Sequence, residues 1–226
     1  MVVVNRDSYW ERQEQVERFA GRDVDKRLAV LINDYSDPSS IRVLDLGCAG
    51  GRNAVVLAEI GFDLFAIDAS EAMVEKTRER VLAIRGKDFA ETRVLRMSMD
   101  DLSYFSGEQF HLIIALGILH NARSDEEWKN TLSELRRVVR SGSRILVSNF
   151  SSESDPSGEG LVPVSGSRHL YEGFGHDRMY LMTAENLDAE LRRFGFIPEV
   201  PTETVKRETD KGFRVTVNGL YVKTGD

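Results

Sequence analysis

Cysteine is almost missing from this chain: Cys48 is the only one in 226 residues. That excludes an intramolecular disulfide and any multi-cysteine metal site. Long apolar runs are missing too, since none approaches the ~20 residues that a membrane span needs. The opening stretch MVVVNRDSYWERQ turns polar after three valines and does not read as a signal peptide. A cytoplasmic protein without a membrane segment is therefore expected. A broad basic surface is lacking as well: 30 Lys and Arg stand against 37 Asp and Glu, a formal charge of −7. Such a balance disfavours nucleic acid as a partner. The densest basic group, Arg136, Arg137, Arg140 and Arg144, falls at a predicted helix C-terminus, where cations suit the helix dipole. No internal repeat is visible. What is present, 41% hydrophobic and 30% charged residues, suits one well-cored globular domain.

The pattern along the chain alternates strand and helix. Residues 7–34 read as two amphipathic helices, with Asp7 or Ser8 and then Asp23 as N-caps. Short apolar runs at 41–46, 62–68, 92–97 (TRVLRM), 110–117 (FHLIIALG) and 144–150 (RILVSNF) suit buried parallel strands. Helices are expected at about 52–60, 70–85 and 124–140, and RSGS (140–143) reads as a turn. Residues 151–169 are rich in Ser, Gly and Pro and read as a mobile excursion. A helix at 184–194, a strand near 196–207 and an alternating strand at 213–223 close the chain with an antiparallel pair. The result is an α/β, doubly wound sheet of seven strands, mostly parallel, with an antiparallel C-terminal hairpin. A dinucleotide fold would instead continue with a parallel sixth strand.

The chemistry concentrates in IRVLDLGCAGGRN, residues 41–53, a strand running through a glycine-rich turn into a helix. A pyrophosphate cradle needs Gly-x-Gly-x-x-Gly; counting from Gly47, Ala49 and Arg52 occupy the next two glycine places, so the match fails twice. Asp45 at the strand end would also repel a phosphate, whereas it attracts a cation. This loop resembles the acid-x-Gly-x-Gly-x-Gly signature of class I S-adenosylmethionine-dependent methyltransferases, here Asp45, Gly47, Ala49 and Gly51. The adjoining GRN is similar to the small-molecule branch that includes tellurite-resistance-type and type 11/12 methyltransferase domains.

The resemblance implies S-adenosylmethionine as cofactor, a zwitterion beside a sulfonium with no phosphate. It implies that Asp45, Gly47, Cys48, Ala49 and Arg52 surround the methionyl end. Asp68 ends the second strand and would accept both ribose hydroxyls, or simply cap the next helix; Ala69 adjoins it. Adenine would lie against Met99 and either Ser98 or Asp100, in a stretch where Ser98 stands at the family's acid position. Leu116, at the end of the fourth strand, would border the cofactor. His120 follows it, either as a general base or as a packing residue. No Asp/Asn-Pro-Pro-aromatic motif, Pro-Cys nucleophile or acid at the fourth strand end is present, which removes exocyclic-amine, pyrimidine carbon-5 and Mg²⁺-dependent catechol-type methylation.

Substrate choice is expected in the excursion and the N-terminal helices. SRHLYEGFGHDRMY, 167–180, collects His169, Tyr171, His176, Arg178 and Tyr180 between glycines, as a lid over a polar, partly planar substrate would. A loop anchored by its own aromatics is the alternative. The histidine spacing fits no helical ligand pair, so no metal is expected. Tyr9 and Trp10 are a second candidate gate, or packing residues. The chain reads as a single methyltransferase domain: a helical cap at 1–40, a cofactor-binding core at 41–150, a lid at 151–183, and a final helix and hairpin at 184–226. A small-molecule methyl acceptor and a monomer or homodimer are expected. Methylation of tRNA or protein, a non-catalytic S-adenosylmethionine-binding protein and, last, an NAD-dependent oxidoreductase are the rivals.

Overall fold

The computed structural model describes residues 9–175 and 177–225; the caps read at Asp7 or Ser8, and His176, lie outside them. By its internal contacts the chain divides into two compact units. One runs to Met99 and takes in Gln109–Ile114; the other comprises Asp100–Glu108 and the chain from Ala115 onward.

The first unit contains α1 (Gln13–Ala20), α2 (Lys26–Leu31), β1 (Arg42–Leu46), α3 (Arg52–Ile60), β2 (Asp63–Asp68), α4 (Glu71–Arg85), α5 (Lys87–Arg93), β3 (Val94–Arg96) and most of β4 (Phe110–Leu116). The strands pair in parallel in the order β4-β1-β2-β3. Val43, Leu44, Leu64, Ala66, Leu112 and Ile113 are all fully buried, as unbroken apolar runs in a parallel sheet should be. Helix α4 starts where Ser70 Oγ accepts the Met73 N–H (3.3 Å) and buries Met73, Val74, Thr77 and Val81 along one face.

The second unit holds α6 (Asp125–Val138), β5 (Val139–Phe150), the short strands β6 (Val162–Pro163), β7 (Leu170–Glu172) and β8 (Met179–Tyr180), then α7 (Ala184–Arg193), β9 (Phe196–Pro198), β10 (Glu203–Glu208) and β11 (Phe213–Lys223). Strand β11 runs antiparallel to β5, with β9 and β10 on its other edge. The last two residues of β4 belong to this unit, where the following Gly117 N–H donates to Ser148 O of β5 (2.9 Å). The hydrogen-bonded order is β10-β11-β5-β4-β1-β2-β3. The expected mixed sheet, mostly parallel with an antiparallel C-terminal pair, is what the chain forms.

Several local readings change. The cap of α2 is Asp25, not Asp23: its carboxylate accepts the Arg27 N–H (3.0 Å), and its own N–H is held by Asn53 Oδ1 (3.1 Å). Strand β3 begins only at Val94, because the preceding residues form α5. Arg93 there pairs with Asp63 (3.0 Å) and lies over the Phe65 ring (4.2 Å). The stretch read as a turn, RSGS, lies inside β5, where Gly142 at φ 73° marks a local kink. The single strand expected near 196–207 is split into β9 and β10 around Pro201, which has no N–H to give a ladder. The excursion holds a small antiparallel sheet, β6-β7-β8. The basic group is built into the fold. Arg136 donates to Phe194 O, Arg137 pairs with Glu134 and Arg144 with Glu199.

Helix α1 ends against the loop after β1. A Cβ on Gly50 would lie 2.7 Å from both Cβ and N of Ala20, closer than packed atoms allow. Gly50→Ala is expected to destabilise the protein by about 1–3 kcal/mol, read as a lowered urea midpoint at unchanged slope. An unchanged midpoint would mean that α1 does not press on this loop.

Candidate functional site

The turn after β1 folds over the end of β2. The N–H groups of Gly47 and Cys48 both donate to Ile67 O (2.8 and 2.9 Å), that of Gly51 to Cys48 O (2.9 Å), and that of Ala49 to Asp68 Oδ2 (2.9 Å). Helix α4 grips the same turn from its side chains. Thr77 Oγ1 donates to Ala49 O (2.6 Å), and Arg80 donates to Gly50 O (2.5 Å) and Ala20 O (3.0 Å). A phosphate cradle would point several of those N–H groups outward. Here four of them serve protein acceptors. Ala49 takes φ 47°, the left-handed region that glycine favours. An alanine there costs about 1–2 kcal/mol of backbone strain, against which its N–H and C=O are both satisfied.

Two carboxylates stand at adjoining strand ends. Asp45 is buried, and its Oδ2 has no hydrogen-bond partner. Burial pushes its pKa up to about 7; the Arg52 guanidinium pulls it down, the Asp68 charge raises it, and the Ala54 N–H opposes the rise. Asp68 accepts the N–H groups of Ala49 on Oδ2 and Ser70 on Oδ1 (3.0 Å). Burial still raises its pKa, with those backbone bonds working against the shift and Glu11 adding to it. Burying Asp45 with one oxygen unanswered destabilises the fold unless a cation or donor completes the site. Cys48 is buried beside Thr77 (3.7 Å), and its thiol pKa is raised by burial and by both acids, so it is no nucleophile.

Arg52 reaches Asp23 O (3.4 Å) and Asp25 (3.9 Å), so the GRN stretch also anchors the N-terminal helices. Ala69 and Ser98 are exposed and Met99 is buried in the first unit. Tyr9 and Trp10 meet edge to face (5.0 Å), Trp10 packs on Phe19 (5.3 Å), and Tyr9 Oη accepts from Arg18 (3.0 Å). Asp100, Leu116 and His120 belong to the second unit, with Leu116 half-buried at the end of β4. His120 is buried in the turn Leu119–Asn121, its ring 4.5 Å from Phe150, which in turn lies 4.4 Å from Phe174.

Within the excursion the candidate lid residues divide. Tyr180 is buried, stacks on Trp128 (4.8 Å) and donates to Asp125 Oδ1 (3.0 Å), which also accepts from Ser167 (2.5 Å). That is an anchor to the start of α6. His169 sits edge-on to Tyr180 (5.7 Å), and burial lowers its pKa against the pull of Glu190 and Asp125. Tyr171 is half-buried on β7, and exposed Arg178 pairs with Glu172 (2.8 Å). Among the described residues, no cluster of His, Cys, Asp and Glu could hold a metal ion. Nor is any described helix long and apolar enough to cross a membrane.

Residues 43–142 match the family described as methyltransferase domain. The mixed sheet around this match has the class I methyltransferase fold, and the match itself covers under half of the chain. A demethylmenaquinone methyltransferase of Clavibacter sepedonicus is 30% identical over 115 residues, 51% of this chain and 43% of that protein. The chain thus spans under half the length of that relative. The 1,6-didemethyltoxoflavin-N1-methyltransferase of Burkholderia thailandensis, solved with S-adenosylhomocysteine, superposes with a TM-score of 0.65 at 19% identity. The match covers 96% of this chain and 82% of that one. The cyclase SpnF matches as well by shape, with a TM-score of 0.68 at 17% identity over 97% of this chain and 95% of that one. The shared fold therefore does not by itself fix the chemistry.

Three residues that hold the turns after β1 and β2 were not foreseen from the sequence. Thr77 and Arg80 lie three apart on α4, a spacing that puts both on one helix face but carries no motif. Glu11, in WERQ, accepts the N–H groups of Glu71 and Ala72 (both 3.0 Å).

The raised acid gives a signed pH dependence for the ligand-free domain. A carboxyl whose folded pKa is about 7 against a usual 3.8 favours folding when protonated. That contribution is full below about pH 4 and lost as the pH climbs to 7; Asp68 adds in the same sense. Asp45→Asn is expected to raise the ligand-free melting temperature at pH 8 and leave it nearly unchanged at pH 4. The upper bound on the gain is about 4 kcal/mol. Equal shifts at both pH values would show that Asp45 is ionised throughout.

Proposed function

We propose that this protein is an S-adenosylmethionine-dependent methyltransferase that modifies a small-molecule acceptor and releases S-adenosylhomocysteine. The observation that carries the reading is the pairing of a turn whose N–H groups face inward with a buried carboxylate oxygen that lacks a partner. Such a site suits a cationic, phosphate-free ligand. The residues fit the cofactor: Asp45 would meet the ammonium, and the Gly47–Ala49 backbone would line the methionyl chain. Asp68 keeps a lone pair on each oxygen for the ribose hydroxyls, with Ala69 beside it. Met99 with Ser98 or Asp100, and Leu116, are the proposed adenine and cofactor-edge contacts.

When bound, the sulfonium supplies an electrophilic methyl group. The protein's own part is to hold, orient and keep water out, since alignment of an in-line displacement supplies much of its rate. His120 is the proposed base for an acceptor that arrives protonated; its contact with Phe150 serves packing equally well. The named acceptors of the Clavibacter and Burkholderia relatives, demethylmenaquinone and 1,6-didemethyltoxoflavin, belong to those proteins and support a small-molecule acceptor here. Tyr171, His169 and Arg178 are the proposed substrate-facing residues, and Tyr9 and Trp10 the proposed gate. A cytoplasmic protein of one functional domain, monomeric or homodimeric, completes the reading.

Isothermal titration should show binding of S-adenosylmethionine and none of NAD. Asp68→Ala should weaken that binding by about 1–3 kcal/mol. Failure of the wild-type protein to bind S-adenosylmethionine would overturn the reading, and an unchanged Asp68→Ala affinity would return Asp68 to capping α4. Labelled cofactor with cell extract then identifies the acceptor class.

A further inference from the structure

Helix α1 is fastened at both ends to the two strand-end turns that carry the candidate site. At its C-terminal end, Ala20 lies against Gly50, and Arg80 bridges their carbonyl oxygens (3.0 and 2.5 Å). Midway, Glu17 pairs with Lys76 of α4 (3.2 Å). Just before α1, Trp10 O accepts from Ser70 Oγ (3.2 Å), and the two Glu11 oxygens accept the N–H groups of Glu71 and Ala72.

This second attachment leads straight to Asp68. The first three N–H groups of α4 belong to Glu71, Ala72 and Met73, and an isolated helix leaves them without partners. Ser70 Oγ takes that of Met73, while Glu11 brings in acceptors for the other two from far along the chain. Ser70 is thereby held through its hydroxyl on both sides, and its own N–H donates to Asp68 Oδ1 (3.0 Å). With the Ala49 N–H on Oδ2, the plane of the Asp68 carboxylate is fixed. The negative charge of Glu11 also suits the positive end of the α4 dipole.

We propose that Glu11 is a positioning residue for cofactor binding, clasping the segment before α1 onto the start of α4 so that Ser70 holds Asp68 in its binding orientation. The inference rests on the proposed function, because it assumes that Asp68 meets the cofactor. Opening the clasp lets Trp10 and Glu11 lift from the turn after β2 and so frees Ser70. Its signature is therefore the rate at which bound ligand leaves, whereas a capping residue alone would change only thermal stability.

The test measures dissociation of S-adenosylhomocysteine by rapid displacement, alongside melting temperature, for wild type, Glu11→Ala, Glu11→Gln and Glu14→Ala. Glu14 is an exposed acid of α1 outside the clasp. Glu11→Ala should release the ligand about tenfold faster. Glu11→Gln keeps one acceptor oxygen and should fall between it and wild type, and Glu14→Ala should match wild type. A Glu11→Ala rate within about twofold of wild type, with only the melting temperature lowered, overturns the proposal. If Glu11→Ala does not fold, Glu11→Gln decides: a faster rate supports the clasp and an unchanged one refutes it. Wild-type protein that does not bind S-adenosylhomocysteine overturns the proposed function itself, before any variant is compared.

Discussion

The hydrogen bond from the Ala49 N–H to Asp68 Oδ2 is the constraint on which the rest of the candidate site depends. It ties the turn after β1 to the acid that ends β2. For that bond to form, Ala49 must adopt a left-handed backbone that an alanine accepts only under compulsion. The compulsion comes from several directions at once: Ile67 O collects two N–H groups, Thr77 and Arg80 hold the carbonyl oxygens, and Ala20 leaves no room for a side chain at Gly50. Helices α1 and α4 are thus part of the loop's structure. A turn so over-determined is preorganised, and a ligand that fits it loses little by ordering it.

Two adjoining acids, buried Asp45 and half-buried Asp68, are the electrostatic consequence. Without a ligand, Asp45 is poised near neutrality with one oxygen unanswered, which is a local loss of stability held inside the sheet. In the proposed function that loss is exchanged for selectivity by charge, because an ionised Asp45 disfavours a phosphate and favours a cation. The second unit shows the opposite policy. There Tyr180 and Ser167 both donate to Asp125. Its excursion is therefore anchored at β8 and α6.

Much of the architecture was legible because apolar runs and caps were strong. The strand at 213–223 and the helix starting after Ser70 appear where periodicity puts them. Helix α5 was hidden because KDFAETR has little apolar periodicity and is held by Arg93 against Asp63 and Phe65, contacts far apart in sequence. The short strands of the excursion were hidden by their Ser, Gly and Pro composition. At the site, acids at strand ends and failed glycine spacing could be read directly. The φ of Ala49, the reach of Thr77 and Arg80 and the Glu11 clasp could not, since each depends on tertiary contacts rather than on local pattern.

Reception of a cation by the turn after β1, through Asp45, has a calorimetric signature. It is tested most directly by titrating S-adenosylmethionine calorimetrically near pH 6.5 in two buffers of different ionisation enthalpy. There Asp45, with its pKa raised to about 7, is mostly protonated before binding and must ionise to meet an ammonium group. Net release of more than about half a proton per ligand bound is expected, abolished by Asp45→Asn. Binding of equal heat in both buffers, with no proton released, would contradict it.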